Sequence, residues 1–355
     1  MSAEKAVGTT RTSSKYAVRT VGIDLGSANT LIYVQKKGII LREPSVIALN
    51  TYDGSIAAVG KDAKAMIGKN PRNLTVIRPL RNGAIADFDT TKIMVRHFLK
   101  SVLTTFVIGR PRVVVSVPYG TTDIEKRAVF EACQQAGAKQ TLLVEEPLAA
   151  ALGAGINIEE PSGNMVVNIG AGATEIAVIS LGGIVNATSI KVAGDAIDSA
   201  IYNFFKRNYG MEIGMMTAEK FKIDYAYAYN PPKVVGKVRG IDLKTGLPIE
   251  QEVPVEEVNA HIQDTLKDLI KAIRKVYEST PPQLASDIIE KGIVLTGGGA
   301  NLKNIDKLIN TEIKLPVIIP PNPEDCVVIG AGNISAHSIS GLTSISLYGL
   351  QNFTK

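Results

Sequence analysis

The sequence predicts a duplicated α/β architecture: two lobes, each opening on strand–turn–strand hairpins and continuing as strand–helix units. Three observations carry that expectation. The stretches "TVGIDLGSANTLIYV" (20–34) and "MVVNIGAGATEIAV" (165–178) superpose at an offset of 144, which sets Asn168 on Asp24, Gly170 on Gly26, Thr174 on Thr30 and Val178 on Val34. Short β-branched runs alternate with helix-period segments through both halves. The chain of 355 residues also exceeds the roughly 100–200 residues of a single domain.

Each element has a local reason. In the first half "TVGIDLG", "NTLIYVQ", "GIILREPSVIAL" and "AAVG" read as successive strands joined by glycine-containing turns. "TTKIMVRHFLKSVL" spaces Ile93, Met94, Phe98, Leu99 and Val102 as a helix does. "RVVVSVP" is a buried-strand run, and "TTDIEKRAVFEACQQAGA" is a capped helix ending at a glycine. "TLLVEEPLAAALGAG" is a strand feeding an alanine-rich helix, whose small face permits close approach to a neighbour. In the second half "SLGGIVNATSIKVAG" continues the hairpin pattern, and "GDAIDSAIYNFFKRNYG" is a helix. "DLKTGLPIEQEVP" is a small hairpin around Lys244-Thr245-Gly246. The stretch 255–277 carries an apolar stripe at positions 255, 258, 262, 266, 269, 273 and 276, and Pro281-Pro282 ends that region. "GIVLTGGGANL" runs from a strand into a glycine turn and a new helix, and "EDCVVIGAGNISAHS" closes the second half.

Composition narrows the function classes. Apolar content of 45% and charged content of 21% are those of a soluble globular protein. No apolar run approaches the roughly 18 residues of a membrane span, and "MSAEKAVGTTRTSSKY" lacks the apolar core of a signal peptide, so a cytoplasmic location is expected. Cys133 and Cys326 lie far apart without CxxC spacing and read as reduced, buried thiols. His97, His261 and His337 are isolated, which leaves a zinc site without support. Of the net charge of +5, the tail contributes +3, through Lys5, Arg11, Lys15 and Arg19 against Glu4. The body gathers no basic patch, so no nucleic-acid partner is expected.

Both glycine turns suit an anion. Gly26-Ser27-Ala28-Asn29 and Gly170-Ala171-Gly172-Ala173 place small or absent side chains where backbone N–H groups can converge on a phosphate. A tight hairpin would explain either one alone; two copies in register favour the phosphate reading. Gly297-Gly298-Gly299 adds a backbone-only surface able to pass under a flat base or ribose. Neither a Walker A loop nor a GxGxxG dinucleotide motif is present.

These segments resemble the actin superfamily of ATP-binding proteins. "GIDLGSANT" and "VVNIGAGATE" are similar to its two phosphate loops, and "VLTGGGANL", from Gly297 through Ala300, to its adenosine motif. "VSVPYG" and "EDCVVIGAG" are similar to its connecting segments. Within the superfamily the wording "EPSVIAL", "VEEPLAAALGAG", "TEIAVISLGGIV" and "LTGGGANL" most resembles the MreB family of bacterial cell-shape proteins. The resemblance implies an actin-like fold of two ribonuclease-H-like lobes and four subdomains around a nucleotide cleft. Its divisions would be a flexible basic tail 1–17, subdomain IA at 18–47, 81–160 and 330–351, IB at 48–80, IIA at 161–196 and 261–329, and IIB at 197–260. It further implies ATP or ADP with Mg²⁺, polymerisation into protofilaments that pair antiparallel, and attachment to the anionic inner face of the cell membrane. Other actin-like paralogues are possible partners.

Residue by residue, Asp24 matches the carboxylate that holds Mg²⁺ through its water shell, with Asn168 at the equivalent place in the second loop. Glu219 and Lys222 match positions near ribose and base, and Glu146 matches the glutamate that orients the attacking water. The helix beginning "TTDIEKRAVF" matches the protofilament-pairing helix; its Ile124 reads equally as an exposed or a core residue. Phe106, Val107 and Ile108 match a loop that dips into the bilayer, with Arg110 and Arg112 at headgroup reach; packing on their own subdomain is the other reading. The second loop departs from the family pattern Asp-Ile-Gly-Gly-Gly-Thr-Thr-Glu, because Asn168, Ala171 and Ala173 replace an acid, a glycine and a hydroxyl. Binding is spread over three loops while water orientation rests on few groups, so weak ATPase activity at best is expected. A nucleotide-binding pseudoenzyme and a non-polymerising regulator of other actin-like filaments stay open.

Overall fold

Buried β-branched residues drive the first lobe into a sheet. In the computed structural model, which describes residues 20–106, 111–334 and 347–348, β1 (Thr20–Leu25), β2 (Asn29–Val34) and β3 (Gly38–Pro44) form an antiparallel meander. A small insert follows, made of β4 (Ile47–Asn50), β5 (Ile56–Val59), α1 (Lys61–Ala65) and β6 (Leu74–Ile77). The two-residue strands β7 (Leu80–Arg81) and β8 (Ala84–Ile85) pair in a tight hairpin. Then come α2 (Phe88–Phe106), β9 (Arg112–Val117), α3 (Asp123–Gln135), β10 (Gln140–Glu145) and α4 (Glu146–Gly153). β9 lies parallel to β1 and β10 parallel to β9, giving the order β3-β2-β1-β9-β10.

The second lobe repeats this plan. β11 (Asn164–Ile169), β12 (Thr174–Ser180) and β13 (Gly183–Ile190) form the meander. A helical and hairpin insert follows: α5 (Gly194–Asn208), β14 (Met211–Glu212), α6 (Met215–Tyr225), β15 (Val235–Asp242) and β16 (Pro248–Pro254). α7 (Val255–Glu278), α8 (Pro282–Lys291), β17 (Ile293–Thr296), a 3₁₀ turn at Gly298–Asn301, α9 (Ile305–Ile313) and β18 (Val317–Ile318) complete it. The sheet runs β13-β12-β11-β17-β18, the same order of roles as in the first lobe. α10 (Cys326–Asn333) and β19 (Leu347–Tyr348) then return to the first lobe, where α10 packs on α4 and β1 and β19 pairs with β10.

Three differences from the sequence reading have physical causes. "GIILREPSVIAL" is two strands of different sheets, because the chain leaves the main sheet after Pro44 so that Ser45 can bond to the first glycine turn. The proline pair does not only end α7; Pro282 opens α8 at the helix position where a missing N–H costs nothing. "EDCVVIGAG" closes the second half in sequence but returns to the first lobe in space. Its approach needs glycine: a Cβ on Gly330 would lie 1.8 Å from the carbonyl oxygen of Ala149, on the alanine face of α4.

Local signals otherwise hold. All seven stripe positions of α7 are buried, six of them, from Val258 to Val276, in the second-lobe core. Thr122 and Glu125 close a capping box at the start of α3. Among the described residues no helix is long and apolar enough to cross a membrane.

Candidate functional site

The repeated hairpins end on one cavity of about 420 Å³, within the usual range for a small-molecule site. Their strand registers are identical: Asp24 faces Leu31 across β1–β2, and Asn168 faces Glu175 across β11–β12. Cross-strand partners share a sheet face, so each lobe presents a row. In the first lobe the row is Ser116, Asp24, Leu31 and Arg42, on β9, β1, β2 and β3. In the second it is Thr296, Asn168, Glu175 and Ser189, on β17, β11, β12 and β13. Ser116 donates to Asp24 Oδ1 at 3.2 Å, and Thr296 donates to Asn168 Oδ1 at 3.2 Å. The hydroxyls match; the groups they hold do not.

The turns are pinned differently. Ser45 Oγ donates to the Gly26 carbonyl at 2.6 Å. In the second loop the N–H groups of Gly194 and Asp195, at the start of α5, donate to the carbonyls of Gly170 and Ala171. Between the turns stands the tip of the β7–β8 hairpin, Asn82-Gly83, with both residues at positive φ as a type I′ turn requires. Gly83 N–H donates to Ser27 Oγ at 3.3 Å, and a Cβ on Gly83 would lie 2.5 Å from that of Ala173. The tip therefore reads both loops at once.

Carboxyl groups converge at the base of the cavity. Burial pushes Asp24 up to about 6, against the Ser116 hydrogen bond and the Arg42 charge. Burial, then the neighbouring Glu175 and Asp24 carboxylates, hold Glu146 well above its ordinary range. Burial pushes Glu175 up to about 8, against the Tyr119 N–H that donates to its Oε1 at 2.7 Å across the lobes. Asn168 is the neutral member: its Nδ2 donates to Glu146 Oε2 at 3.3 Å.

The third glycine run completes the wall. A Cβ on Gly297 would lie 2.3 Å from the Ile169 carbonyl oxygen, and one on Gly299 would lie 2.2 Å from Ile169 Cγ2, so both glycines are required for docking on β11. A Cβ on Gly298 would meet nothing within 4 Å; this residue faces open space. Glu219 and Lys222 of α6 line the same cavity. Lys222 pairs with Asp198 at 2.8 Å, and Glu219 pairs across the mouth with Lys64 of α1 at 3.4 Å. A second cross-mouth pair joins Arg78 to Asp195 at 3.9 Å.

The cavity thus gathers Asp24, Gly26, Ser27, Ala28, Asn29, Glu146, Asn168, Gly170, Ala171, Gly172, Ala173, Glu219, Lys222 and the three glycines 297–299. Ala300 does not line it; its methyl is buried in the second-lobe core. Phe106 is the last residue of α2, while Val107, Ile108 and the tail 1–17 lie outside the described residues. Ile124 is 75% exposed, which resolves its two readings. Sequence reasoning passed over Glu175, Ser116, Thr296, Arg42 and the Asn82-Gly83 tip. Glu175 alone left a signal, since the offset of 144 sets an acid on Leu31.

Two features fit a polyphosphate carrying a hard cation. The loops offer backbone and small side chains, with Gly298 open beside them. Glu175 Oε2 is buried without a hydrogen-bond partner, and Asp24 supplies a carboxylate beside the first turn. Among the described residues no group of three or more acids, histidines or cysteines forms an all-protein metal site. One or two carboxylates suffice where a cation keeps its waters and binds phosphate oxygens.

The family profile for MreB/Mbl protein matches residues 18–340. The cell shape-determining protein Mbl of Bacillus subtilis is 45% identical over 315 residues, covering 88% of this chain and 95% of Mbl. The cell shape-determining protein MreB of Escherichia coli is 46% identical over 318 residues, covering 88% of this chain and 92% of that protein. Among solved structures, MreB5 of Spiroplasma citri bound to AMPPNP superposes with a TM-score of 0.84 at 34% identity, covering 92% of this chain and 98% of MreB5.

Proposed function

Because this chain belongs to the MreB/Mbl family of actin-like cytoskeletal proteins, we propose that its cleft binds ATP or ADP with Mg²⁺, that copies assemble head to tail into filaments, and that hydrolysis in them is slow. The observation that carries this reading is the pair of glycine turns facing one cavity from two lobes in identical register. The AMPPNP-bound MreB5 structure, of the same fold, supports the choice of nucleotide.

In this reading Gly26 to Asn29 and Gly170 to Ala173 bind the phosphates, and the glycines 297–299 with Glu219 and Lys222 bind the nucleoside. Asp24 holds Mg²⁺ through its water shell, and the ion neutralises phosphate charge. Glu146 orients the attacking water. Its bond from the Asn168 amide draws one oxygen away from that task, which is the specific observation favouring slow turnover. The four subdomains divide as IA, IB, IIA and IIB with the boundaries given by the sequence. Head-to-tail contacts do not close and therefore propagate.

Light scattering on addition of ATP and Mg²⁺, with phosphate release followed alongside, tests the whole. Assembly with slow release is expected. Assembly without release would make the chain a nucleotide-binding pseudoenzyme, and binding without assembly a regulator of other actin-like filaments. Among the glycines that line the cavity Gly298 alone is open, so Gly298→Val fills the site without touching the core, and nucleotide affinity should fall while the melting temperature holds. Equal affinity in that variant would sink the nucleotide assignment.

Two surface proposals complete the reading. Ile124, exposed on α3, sits at the antiparallel protofilament contact, and Ile124→Glu should yield single protofilaments in micrographs. The filament lies against the anionic inner face of the membrane through Phe106, Val107 and Ile108. Each such side chain would contribute about 1.5–3 kcal/mol at most when buried, so a monomer binds weakly and a filament by avidity. A polymerising Phe106→Ser, Ile108→Ser variant that still pelleted with anionic vesicles would move the anchor elsewhere.

A further inference from the structure

The first-lobe row ends in a cation that the proposed chemistry does not use. Ser116, Asp24, Leu31 and Arg42 are successive cross-strand partners, and all four line the cavity. Strands lie about 4.8 Å apart, so the Arg42 backbone stands about 10 Å from that of Asp24, with the apolar Leu31 between them. That gap is one an arginine side chain can span. Its guanidinium pairs with Asp325 just before α10, and its positive charge reaches Asp24. The Arg42 side chain keeps 45% of its surface exposed, whereas Asp325 keeps 13%. The arginine is the more exposed member of the pair, with room to turn toward the cavity it lines.

The other cavity-lining cations are committed on the second lobe. Lys222 is held by Asp198 and by the Gly194 carbonyl. Lys303 lies over the Tyr227 ring and donates to the Asp224 carbonyl. Among the described residues lining the cavity, Arg42 is thus the cation of the first lobe. It shares that side with one carboxylate at the turn, Asp24, while the matching place in the second lobe holds the neutral Asn168.

We propose that Arg42 is a nucleotide-phosphate ligand, its guanidinium exchanging between the Asp325 carboxylate and the terminal phosphate oxygens of a bound nucleoside triphosphate. The proposal rests on the nucleotide reading of the cleft. A planar guanidinium matches two phosphate oxygens, as it matches a carboxylate, so both partners compete for one donor fork. A site with one metal-side carboxylate and an arginine with room to turn neutralises phosphate charge partly with its own side chain. Triphosphate binding should therefore survive removal of the divalent cation better than it would without Arg42. Asp325 sets the resting position and weakens binding by competition.

The experiment titrates a fluorescent ATP analogue into the full chain, with Mg²⁺ and again in EDTA, for the parent, Arg42→Gln, Arg42→Lys and Asp325→Asn. Loss of a charge-assisted contact corresponds to roughly 10–100-fold in affinity, and Arg42→Gln should show it in EDTA and less of it with Mg²⁺. Arg42→Lys should recover part of the loss, and Asp325→Asn should bind several-fold tighter than the parent in EDTA. Failure of the parent to bind even with Mg²⁺ would overturn the nucleotide reading itself. If the parent binds and a folded Arg42→Gln equals it in EDTA, the nucleotide reading stands and the role of Arg42 falls. Should Arg42→Gln fail to fold, Asp325→Asn decides: no gain in EDTA overturns the competition on which the proposal depends.

Discussion

The two glycine turns share a backbone and differ in charge. In the first row a hydroxyl holds a carboxylate that faces a leucine, Ser116 to Asp24 to Leu31. In the second a hydroxyl holds an amide that faces a carboxyl, Thr296 to Asn168 to Glu175. The acid has moved one strand over. A carboxylate beside the first turn can hold a hydrated cation, whereas an amide beside the second donates to Glu146 and offers a cation only a carbonyl oxygen. The two hairpins keep one register and differ in the side chains set on it.

The sharpest way to break the comparison is to make the second row like the first. Asn168→Asp with Ala173→Thr gives the second loop the acid and the hydroxyl of the family pattern and, if the proposed roles hold, should raise phosphate release on the order of 10²-fold. Asn168→Asp alone sets a further negative charge beside Glu146 and Glu175, so its gain should require Mg²⁺. Ala173→Thr alone must displace the Asn82-Gly83 tip and should lower the melting temperature. An unchanged or lower rate in the folded double variant would place the defect elsewhere.

A smaller effect concerns the displaced acid. Burial raises the Glu175 carboxyl to about 8, which favours its neutral form in the folded nucleotide-free protein at neutral pH. A raised carboxyl stabilises the fold at low pH and loses that contribution as pH rises through its folded value. Stability should therefore fall by roughly 1 kcal/mol per pH unit from the unfolded carboxyl value of 4.5 up to about pH 8. Glu175→Gln imitates the neutral acid and should flatten much of that slope in thermal melts, while Glu146 and Asp24, also raised, retain a remainder. The same slope in parent and variant would mean that Glu175 is ionised.

The smallest effect tests the matched hydroxyls. Thr296→Val and Ser116→Ala each remove one buried hydrogen bond, worth about 1 kcal/mol in stability. The consequences for binding should differ. Loss of Ser116 frees the Asp24 carboxylate and shifts the Mg²⁺ dependence of nucleotide binding, whereas loss of Thr296 leaves that dependence in place. Equal shifts in the two variants would show the rows to be functionally alike.

Much of this was legible because it is local. The offset of 144 is also the offset of the strand registers, since period-2 alternation and a four-residue turn leave a hairpin one way to pair with its apolar face inward. The α7 stripe and the Thr122 capping box follow from helix period and end chemistry alone. Ser116 and Thr296 lie within the stretches "VSVPYG" and "VLTGGGANL", but no local signal pairs them with Asp24 and Asn168, because each lies on a strand brought parallel to the turn from far along the chain. The role of Pro282 was hidden for a different reason: a proline stops one helix and starts another equally well, and only the next turn of chain shows which.

The sequence by itself determined the duplication, the glycine turns, the acid and amide beside them and most of the helices and strands, since each depends on neighbours within a few residues. Only the tertiary structure decided that Asn168 donates to Glu146, that the Asn82-Gly83 tip stands between the loops, that α10 returns to the first lobe from its first residue, Cys326, which stands against Gly153, and that Arg42 shares a row with Asp24. Those contacts join residues tens to hundreds of positions apart. Their geometry is set by sheet order and by backbone approach at glycine, neither of which a local pattern encodes.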